Sequence, residues 1–341
     1  MPITSIELCA GAGGQALGLE MAGIEHAALV DSDKFACATL RLNRPAWDVH
    51  EEDLKTFSAV RWKGIGLVAG GLPCPPYSIA GKQLGPADDR DLFGHGLRIM
   101  DESRPGGAML ENVKGILDPK FEHVREGIKQ GLRKLGFWCD WRLLNAADFG
   151  VSQLRPRVAF VALKADAAEH FRWPVPNPFS PPTVGAVLLD LMAEGGWEGA
   201  EAWADQADEI APTIVGGSKL HGGPDLGPTR ARNAWAMRGV NGKSIAADAP
   251  SPGYQGMPRL TVRMVARIQG FPDTWQFAGK KTAAYRQVGN AFPPPVAAAV
   301  AKQVKLAMDA AARARVGAWS AAPAKLRAFE AAAISPTHSG E

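Results

Sequence analysis

The sequence predicts an α/β fold in which helices cover both faces of a mostly parallel sheet. Over about the first 165 residues, short apolar runs alternate with longer segments of helical period, which is typical of strand–helix–strand units. Glycines and acidic residues recur where the apolar runs end. Because ligands bind such sheets at the carboxyl ends of the strands, we expect these residues to meet at one edge.

The chain opens with two strand–helix pairs joined by a glycine-rich turn. Asp31 follows the second strand, and Asp53 follows an expected third strand. Glycines let the backbone approach a ligand, and an acidic residue after the second strand suits a ribose hydroxyl. The predicted order is strand 4–10, turn 11–14, helix 15–23, strand 26–30 and helix 34–43.

Four further apolar runs complete a predicted sheet of seven strands. Runs of this length are consistent with strands buried on both faces. Cys74 and Glu111 fall at or near the ends of two of these strands, so we expect them at the same edge as Asp31 and Asp53. The four runs cover residues 64–70, 106–113, 137–146 and 157–163, with helices expected near 94–103 and 120–135.

A second region begins near residue 165, where the composition changes. Residues 172–183 are rich in proline and predict a linker, and residues 184–258 are rich in glycine without a helical or alternating period. We expect an irregular recognition surface there, because loop-borne basic side chains can reach base edges and phosphates. The alternative is an ordinary surface loop that does not contact nucleic acid. The candidate contacts are Lys219, His221, Arg230 and Arg232.

Regular secondary structure is predicted again after residue 258. Residues 259–275 predict an amphipathic helix that stops at Gly270, residues 287–290 a tight polar turn, and residues 296–315 an Ala-rich helix packed on the first domain. The predicted division is a larger domain at 1–170 plus 286–320, a smaller recognition domain at 171–285, and a polar tail at 321–341.

Composition narrows the class of protein. Hydrophobic residues make up 46% of the chain and charged residues 21%, and no apolar stretch approaches the length of a membrane span. The N-terminus lacks a basic segment followed by an apolar one, so we expect a cytoplasmic protein without membrane contact. The four cysteines and seven histidines show no ligand spacing, which predicts no metal site. A net charge of +3 permits nucleic-acid binding without requiring it.

Cys74 is the candidate nucleophile. It lies within Pro-Cys-Pro-Pro, shortly after the strand predicted at 64–70. Proline fixes φ and donates no backbone N–H, so the thiol is presented on a stiff turn. The polar loop at 78–93 is expected to close over a substrate. The alternative is a small buried hydrophobe, the commoner state of a free cysteine.

Six motifs, taken in order along the chain, resemble those of the DNA (cytosine-5) methyltransferases. They are LCAGAGG at 8–14, GGLPCPPYS at 70–78, ENV at 111–113, QLRPR at 153–157, GFPDTW at 270–275 and QVGN at 287–290. The resemblance covers about residues 4–310, apart from the recognition region. It implies a class I S-adenosylmethionine-dependent methyltransferase fold, Rossmann-like, with a mostly parallel seven-stranded sheet and a smaller, irregular target-recognition domain.

The resemblance also implies a mechanism. In that family a cysteine thiolate adds to cytosine C6, which makes C5 nucleophilic toward a sulfonium methyl group. By resemblance, Cys74 is this nucleophile, and Glu111 holds N3 and the exocyclic amine of the base. Arg157, helped by Arg155, holds the O2 side and orients Glu111. The target base is flipped out of the duplex, at a cost of a few kcal/mol in lost stacking.

S-adenosylmethionine and double-stranded DNA are the implied cofactor and partner. A monomer is expected, either solitary or paired with a cognate restriction endonuclease that acts on the same site. The implied cofactor residues are Cys9, Gly11, Ala12, Gly13, Gly14, Asp31, Ser32, Asp53, Leu54, Pro73, Leu92, Asn290 and Ala291. The implied DNA contacts are Ser78, Lys82, Gln83 and Arg90, together with Lys219, His221, Arg230 and Arg232.

Two of the chain's departures from the family's pattern bear on the binding of the cofactor and of the base. Cys9 stands where the family usually has phenylalanine, which changes the stacking expected under adenine. Pro75 stands where it usually has glutamine, which removes a polar group from the gap left by the flipped base. Neither departure touches the groups expected to carry out the chemistry.

Three alternative functions accompany this interpretation. The spacing Gly11-x-Gly13-x-x-Ala16 is close to a dinucleotide fingerprint, so an NAD-dependent oxidoreductase is one, although it leaves Cys74 and Glu111 without a role. A DNA-binding protein that has lost catalysis is another. A methyltransferase of tRNA cytosine is the third, and the long recognition region favours duplex DNA over it.

Overall fold

A single mixed sheet organises the molecule. The computed structural model describes residues 2–72, 92–216 and 223–321, with side chains to residue 316. Its seven strands are β1 (Thr4–Leu8), β2 (Glu25–Asp31), β3 (Val49–Glu51), β4 (Leu67–Gly70), β5 (Gly107–Val113), β6 (Trp138–Asn145) and β7 (Pro156–Leu163). Their order across the sheet is β3-β2-β1-β4-β5-β7-β6.

The strand directions decide where the strand ends meet. The first five strands are parallel to one another, and β7 runs antiparallel between β5 and β6. In the centre of the sheet, Leu8 at the end of β1 pairs with Val30 on one side and Gly70 on the other. The carboxyl ends of β1, β2 and β4 therefore lie level with one another, as the sequence predicts.

Helices follow the strands, and most have the predicted positions. They are α1 (Gly14–Met21), α2 (Lys34–Asn43), α3 (Phe93–Ser103), α4 (Glu122–Lys134), α5 (Ala165–Ala168), α6 (Val184–Ala193), α7 (Ala200–Gln206), α8 (Thr229–Ala236), α9 (Val262–Ile268), α10 (Lys281–Asn290) and α11 (Pro294–Ala321). Short 3₁₀ turns cover Val60–Trp62, Lys114–Leu117, Pro119–Phe121 and Ala146–Phe149.

Apolar side chains pack on both faces of the sheet, which confirms the predicted α/β layering. One buried cluster joins Ile6 and Val68 to Ile99 of α3 and Ile128 of α4. A cluster on the opposite face contains Leu19 of α1 and Val296, Val300 and Val304 of α11. A further cluster joins helices α6 to α10. The division into domains at residues 171 and 285 stays a prediction.

The expectation of an irregular region over 184–258 is wrong in part. Three helices, α6, α7 and α8, lie within it. α7 and α8 have only seven and eight residues, so too few turns exist for a period to stand out in the sequence. They are held by tertiary contacts, since Trp203 and Trp235 anchor them in one buried cluster.

The polar turn predicted at residues 287–290 is also wrong. These four residues form the last turn of α10. Arg155 and Gln269, which are distant in sequence, donate hydrogen bonds to the backbone carbonyls at this helix end. Because those partners are invisible in the local sequence, a run with glycine and asparagine resembled a turn. The helix expected near 259–275 is present as α9, in a shorter form.

Helix α11 packs closely on α1, as predicted from its Ala-rich sequence. A Cβ placed at Gly18 of α1 would lie 2.4 Å from Ala297 Cβ and 2.7 Å from the Pro294 carbonyl oxygen. Helix backbones can approach this closely only where one of them lacks a side chain. Gly18 therefore sets the distance between the first and last helices of the sheet layer.

We expect Gly18→Ala to destabilise the protein by about 1–3 kcal/mol, because the added methyl group overpacks the α1–α11 contact. Gly127→Ala in α4 is the matched control, since no atom lies within 4 Å of its added Cβ. That control should gain about 0.5–1 kcal/mol from the better helix propensity of alanine. Urea unfolding measures both changes, and equal effects of the two substitutions would contradict the packing argument.

Candidate cofactor and catalytic site

A cavity of about 300 Å³ opens at the carboxyl ends of β1, β2 and β4. It brings together eleven of the thirteen predicted cofactor residues. Gly13 is absent from its walls, and Pro73 lies outside the described residues. The predicted residues that line it are Cys9, Gly11, Ala12, Gly14, Asp31, Ser32, Asp53, Leu54, Leu92, Asn290 and Ala291.

The glycine-rich turn has two kinds of glycine. Gly11 has a φ of +54°, and a Cβ at this position would meet no atom within 4 Å, so its backbone faces open space. Gly13 has a φ of +83°, and a Cβ there would meet Leu40 and Trp275 at 2.7 and 2.9 Å. Gly11 therefore leaves room for a ligand, while Gly13 allows close packing beneath the turn.

Asp31 holds the same turn in place. One of its carboxylate oxygens accepts the Gly11 N–H at 2.8 Å, and the other accepts the Asp33 N–H at 2.7 Å. The end of β2 is thereby tied to the turn after β1. The predicted contact of Asp31 with ribose hydroxyls stays a prediction.

Glu7 is a pocket residue that the sequence analysis missed. It lies on β1, lines the cavity and is only 1% exposed, and neither carboxylate oxygen has a hydrogen-bond partner among the described residues. Burial raises the pKa of this carboxyl well above its ordinary value. The signal was an acidic residue between two apolar residues of the strand, Ile6 and Leu8, two positions before Cys9. Such a group indicates a ligand or a function, since buried polar atoms are normally paired.

Glu111 and Arg157 form an ion pair at the ends of β5 and β7. Arg157 Nε lies 2.7 Å from Glu111 Oε1, and both side chains are about nine-tenths buried. The antiparallel pairing of the two strands brings them together, with Val113 opposite Arg157. Burial raises the pKa of Glu111, while the charges of Arg157 and Arg155 act in the opposite direction.

The chain leading to Cys74 passes beside this ion pair. A Cβ at Gly71 would lie 3.3 Å from Glu111 Oε2, and the Asn112 amide donates to the Leu72 carbonyl oxygen at 3.2 Å. Cys74 itself lies outside the described residues, two positions beyond Leu72. The ENV motif and the two residues that precede the Pro-Cys-Pro-Pro segment, Gly71 and Leu72, are therefore neighbours in space.

Arg155 has different partners from Arg157. It is completely buried, and its guanidinium donates to the carbonyl oxygens of Ile214, Gly289 and Ala291 at 2.6, 2.8 and 2.9 Å. These contacts are those of a residue that positions other segments. The expectation that Arg155 also helps to hold the base stays a prediction.

Two of the eight candidate DNA contacts lie within the described residues. Arg230 is exposed on α8, and Arg232 is half-buried with one N–H directed at Thr229 Oγ1, 3.3 Å away. The other six, and the nucleophile, lie outside the described residues: Ser78, Lys82, Gln83, Arg90, Lys219 and His221, with Cys74.

Side-chain contacts connect helix α10 to α2 across the pocket. The sequence analysis did not identify the residues that make them as pocket residues. Arg286 forms an ion pair with Asp33 at 3.2 Å, and both residues line the cavity. Thr39 Oγ1 donates to Gln287 Oε1 at 2.6 Å. The late motif thus supplies one wall of the pocket and is held there by the first half of the chain.

Comparison with known proteins decides the family. The model of the C-5 cytosine-specific DNA methylases matches residues 3–306. The chain belongs to this family. It is a DNA cytosine-5 methyltransferase, and S-adenosylmethionine is the methyl donor of such enzymes.

Two relatives are more than half identical to the chain. The Type II methyltransferase M.NgoMIV of Neisseria gonorrhoeae is 54% identical over 312 residues, which cover 89% of this chain and 97% of the relative. The Type II methyltransferase M.NaeI of Lentzea aerocolonigenes is 52% identical over 310 residues, which cover 89% of this chain and 75% of the relative.

Solved structures share the fold at lower identity. A prophage-encoded DNA modification methyltransferase of Escherichia coli aligns with a TM-score of 0.64 at 22% identity, over 90% of this chain and 99% of that one. A DNMT2 of Spodoptera frugiperda aligns with a TM-score of 0.62 at 17% identity, over 89% of this chain and 99% of that one. They confirm the class I methyltransferase fold that the sequence predicts.

The cavity fits the chemistry of this methyl donor. S-adenosylmethionine carries a sulfonium and an ammonium cation, together with ribose hydroxyl groups. Glu7, Asp31 and Asp53 supply acidic side chains to the cavity wall, and Gly11 leaves space for a ligand. Within the described ranges, no helix is both long and apolar enough to cross a membrane, and no cluster of metal-ligating side chains occurs.

We expect Glu7→Gln to stabilise the cofactor-free protein increasingly as pH rises. Burial raises the pKa of Glu7 in the folded state, so the unfolded chain loses this proton first and the wild type loses stability from about pH 4.3 upward. The variant lacks this loss, and its advantage should grow by about 1.4 kcal/mol for each pH unit up to the raised pKa.

Urea unfolding at pH 5 and pH 8 measures this difference. Glu201→Gln on α7 is the matched control, because it removes the same charge from an exposed position. A gain for Glu7→Gln that is equal at the two pH values would contradict the assignment of an unpaired buried carboxylate.

Proposed function

We propose that this enzyme methylates C5 of a flipped-out cytosine in a short duplex DNA site through a covalent bond between Cys74 and C6. The observation that carries the proposal is the buried ion pair of Glu111 and Arg157 beside the segment that leads to Cys74. A carboxyl group and a guanidinium beside the segment that leads to a cysteine suit a base that must be activated for attack on a methyl group.

The proposed chemistry starts from the thiolate of Cys74. A new S–C6 bond shifts electrons into the ring, and Glu111 stabilises them by protonating N3 or donating a hydrogen bond to it. This role needs a carboxyl that can hold a proton, and burial of Glu111 raises its pKa in that direction. S-adenosylmethionine supplies the electrophilic methyl group. C5 then loses its proton to water, the S–C6 bond breaks to release the thiolate, and N3 returns to Glu111 any proton that it received.

Arg157 keeps the carboxyl group in the right orientation. Its Nε lies 2.7 Å from Glu111 Oε1 in an ion pair, and the second oxygen of Glu111 lies on the side of Gly71. We propose that the remaining N–H groups of Arg157 contact O2 of the base. Asp31 and Asp53 are the proposed partners of the ribose and adenine, and Pro73 and Asn290 those of the methionine end.

We also propose that the enzyme protects DNA from a cognate restriction endonuclease. The support is that both highly similar relatives are Type II methyltransferases, and that the chain spans 97% of one of them. A DNA substrate implies action in the bacterial cytosol, and we expect a monomer. Arg230 and Arg232 on α8, with Lys219 and His221, are the proposed contacts to the target DNA.

Bisulfite sequencing of DNA from cells that express the protein tests this function. We expect 5-methylcytosine at one position of a single short sequence motif, at nearly every copy of that motif. Cells that express Cys74→Ser are the control and should show background methylation only, because serine is a far weaker nucleophile toward C6. Cytosine methylation confined to tRNA would exclude a DNA substrate.

A duplex that carries 5-fluorocytosine at the mapped position should trap the enzyme covalently. Fluorine at C5 cannot leave as a proton does, so the S–C6 bond formed by Cys74 persists after methyl transfer. A denaturing gel should show a protein–DNA band for the wild type and none for Cys74→Ser. Mass spectrometry of the trapped peptide should locate the bond, and a bond at any other residue would disprove the proposed nucleophile.

A further inference from the structure

The GFPDTW motif supplies none of the groups proposed to bind the base or the cofactor, yet its tryptophan reaches the glycine-rich turn. The Trp275 indole N–H donates to the Ala12 carbonyl oxygen at 3.1 Å, although the two residues are 263 positions apart. Trp275 is only 4% exposed, and Ala12 lines the cofactor cavity whereas Trp275 does not. The hydrogen bond therefore directs the Ala12 carbonyl toward the packed interior and away from the cavity.

The turn has a backbone shape that needs support from outside. Three of the five residues at 9–13 have a positive φ, and one of them, Cys9 at +51°, is not a glycine. A residue with a side chain adopts this region only at a cost, so contacts beyond the turn must hold it there. Asp31 accepts the Gly11 N–H from the side of β2 at 2.8 Å. Trp275 provides the matching contact to a carbonyl oxygen of the same turn.

The indole ring is itself fixed by its neighbours. The Arg44 guanidinium lies over the ring, 5.2 Å from its centroid, and forms an ion pair with Glu20 at 2.7 Å. The Phe271 ring centroid lies 6.0 Å from that of Trp275. A Cβ placed at Gly13 would lie 2.9 Å from Trp275 Cζ2, so the ring packs directly against the turn. The indole N–H is thereby held in position to bind the carbonyl.

We propose that Trp275 is a positioning residue for the methyl donor, because its indole N–H keeps the Ala12 carbonyl out of the cavity and holds residues 11–14 in the shape that receives S-adenosylmethionine. This rests on the proposal that the cavity holds the methyl donor. Without the indole N–H, the carbonyl finds a partner by turning toward the cavity and its water, and Gly13 tolerates that rotation. The cofactor must then reverse the rotation, so its affinity falls.

Trp275→Phe removes the indole N–H and keeps an aromatic ring in the core. The matched control is Trp203→Phe. Trp203 is also 4% exposed, and its indole N–H donates to another carbonyl oxygen, that of Gly239 at 3.2 Å. It does not line the cofactor cavity. Urea unfolding measures the folded fraction of both variants under the conditions of the binding assay.

Equilibrium dialysis of radiolabelled S-adenosylhomocysteine measures the affinity of the cavity without turnover. We expect Trp275→Phe to raise the Kd about tenfold, which corresponds to one lost hydrogen bond, and Trp203→Phe to leave it unchanged. In steady-state assays, Trp275→Phe should raise the KM for S-adenosylmethionine by a similar factor. The kcat should be unchanged, because the ion pair of Glu111 and Arg157 is intact.

A second replacement separates the hydrogen bond from the packing of the ring. Benzothienylalanine has sulfur in place of the indole N–H, so its introduction at residue 275 removes the donor and keeps the shape of the side chain. We expect the same rise of about tenfold in the Kd of S-adenosylhomocysteine. The same replacement at residue 203 is the control and should leave the Kd unchanged.

Hydrogen–deuterium exchange reports on the turn itself. The N–H groups of Gly11 and Gly13 are both hydrogen-bonded, so a peptide that covers residues 8–14 should exchange slowly in the wild type. In Trp275→Phe this peptide should lose protection, and bound S-adenosylhomocysteine should restore it. A peptide from β5 should exchange at the same rate in both proteins.

An unchanged Kd of S-adenosylhomocysteine in both replacements of Trp275 overturns the inference. An equal loss of affinity in the Trp203 variants also overturns it, since the effect would then follow from general destabilisation. A wild type that does not bind S-adenosylhomocysteine overturns both the inference and the assignment of the cavity to the methyl donor. The dialysis involves neither DNA nor Cys74, so its result is independent of the proposed chemistry on the base.

Discussion

The buried guanidinium of Arg155 is the constraint on which the arrangement of this enzyme depends. It has no exposed surface, and its three hydrogen bonds go to backbone carbonyls of the recognition region and of the chain at the end of α10. A shorter or uncharged side chain would leave those carbonyls buried without partners, which is costly. One side chain at the start of β7 therefore fixes where two distant segments lie relative to the sheet.

Two buried acidic side chains near the strand ends differ in whether a charged partner accompanies them. Glu111 is paired with Arg157, so its position is set and its charge is balanced. Glu7 has no such partner among the described residues, and burial alone raises its pKa. An unpaired carboxyl destabilises the cofactor-free fold, and a cationic ligand can offset that cost. Glu7 thus illustrates how a binding site can reduce the stability of the protein that carries it.

Much of the site could be predicted because its residues lie at strand ends. Asp31, Asp53 and Glu111 are far apart in the chain, yet parallel strands bring their ends to one edge, and all three line the same cavity. Gly13 was predicted to line the cavity and does not. It lies against Leu40 and Trp275, which are distant in sequence and contact it only in the folded protein. The sequence analysis missed Glu7 because it lies within a predicted strand, and the apolar residues beside it suggested a core position.

The amino-acid pattern alone indicated the sheet and the Gly-rich turn, because these depend on local periodicity and on residue type. The methyltransferase chemistry was implied by the resemblance of six motifs, in order, to a known family. The pattern failed for the helices within residues 184–258 and for residues 287–290. Arg155 and Gln269, which donate to the end of α10, lie 134 and 19 residues from the carbonyls they bind. Trp203 and Trp235 belong to α7 and α8 themselves, but they pack against residues of other helices, so no local window contains these contacts. Only the tertiary structure could separate Arg157, which holds Glu111, from Arg155, two residues earlier, which holds the backbone. Arg155 lies just before β7 and outside the regular alternation of the strand, and what each arginine meets is decided by the packing of distant segments.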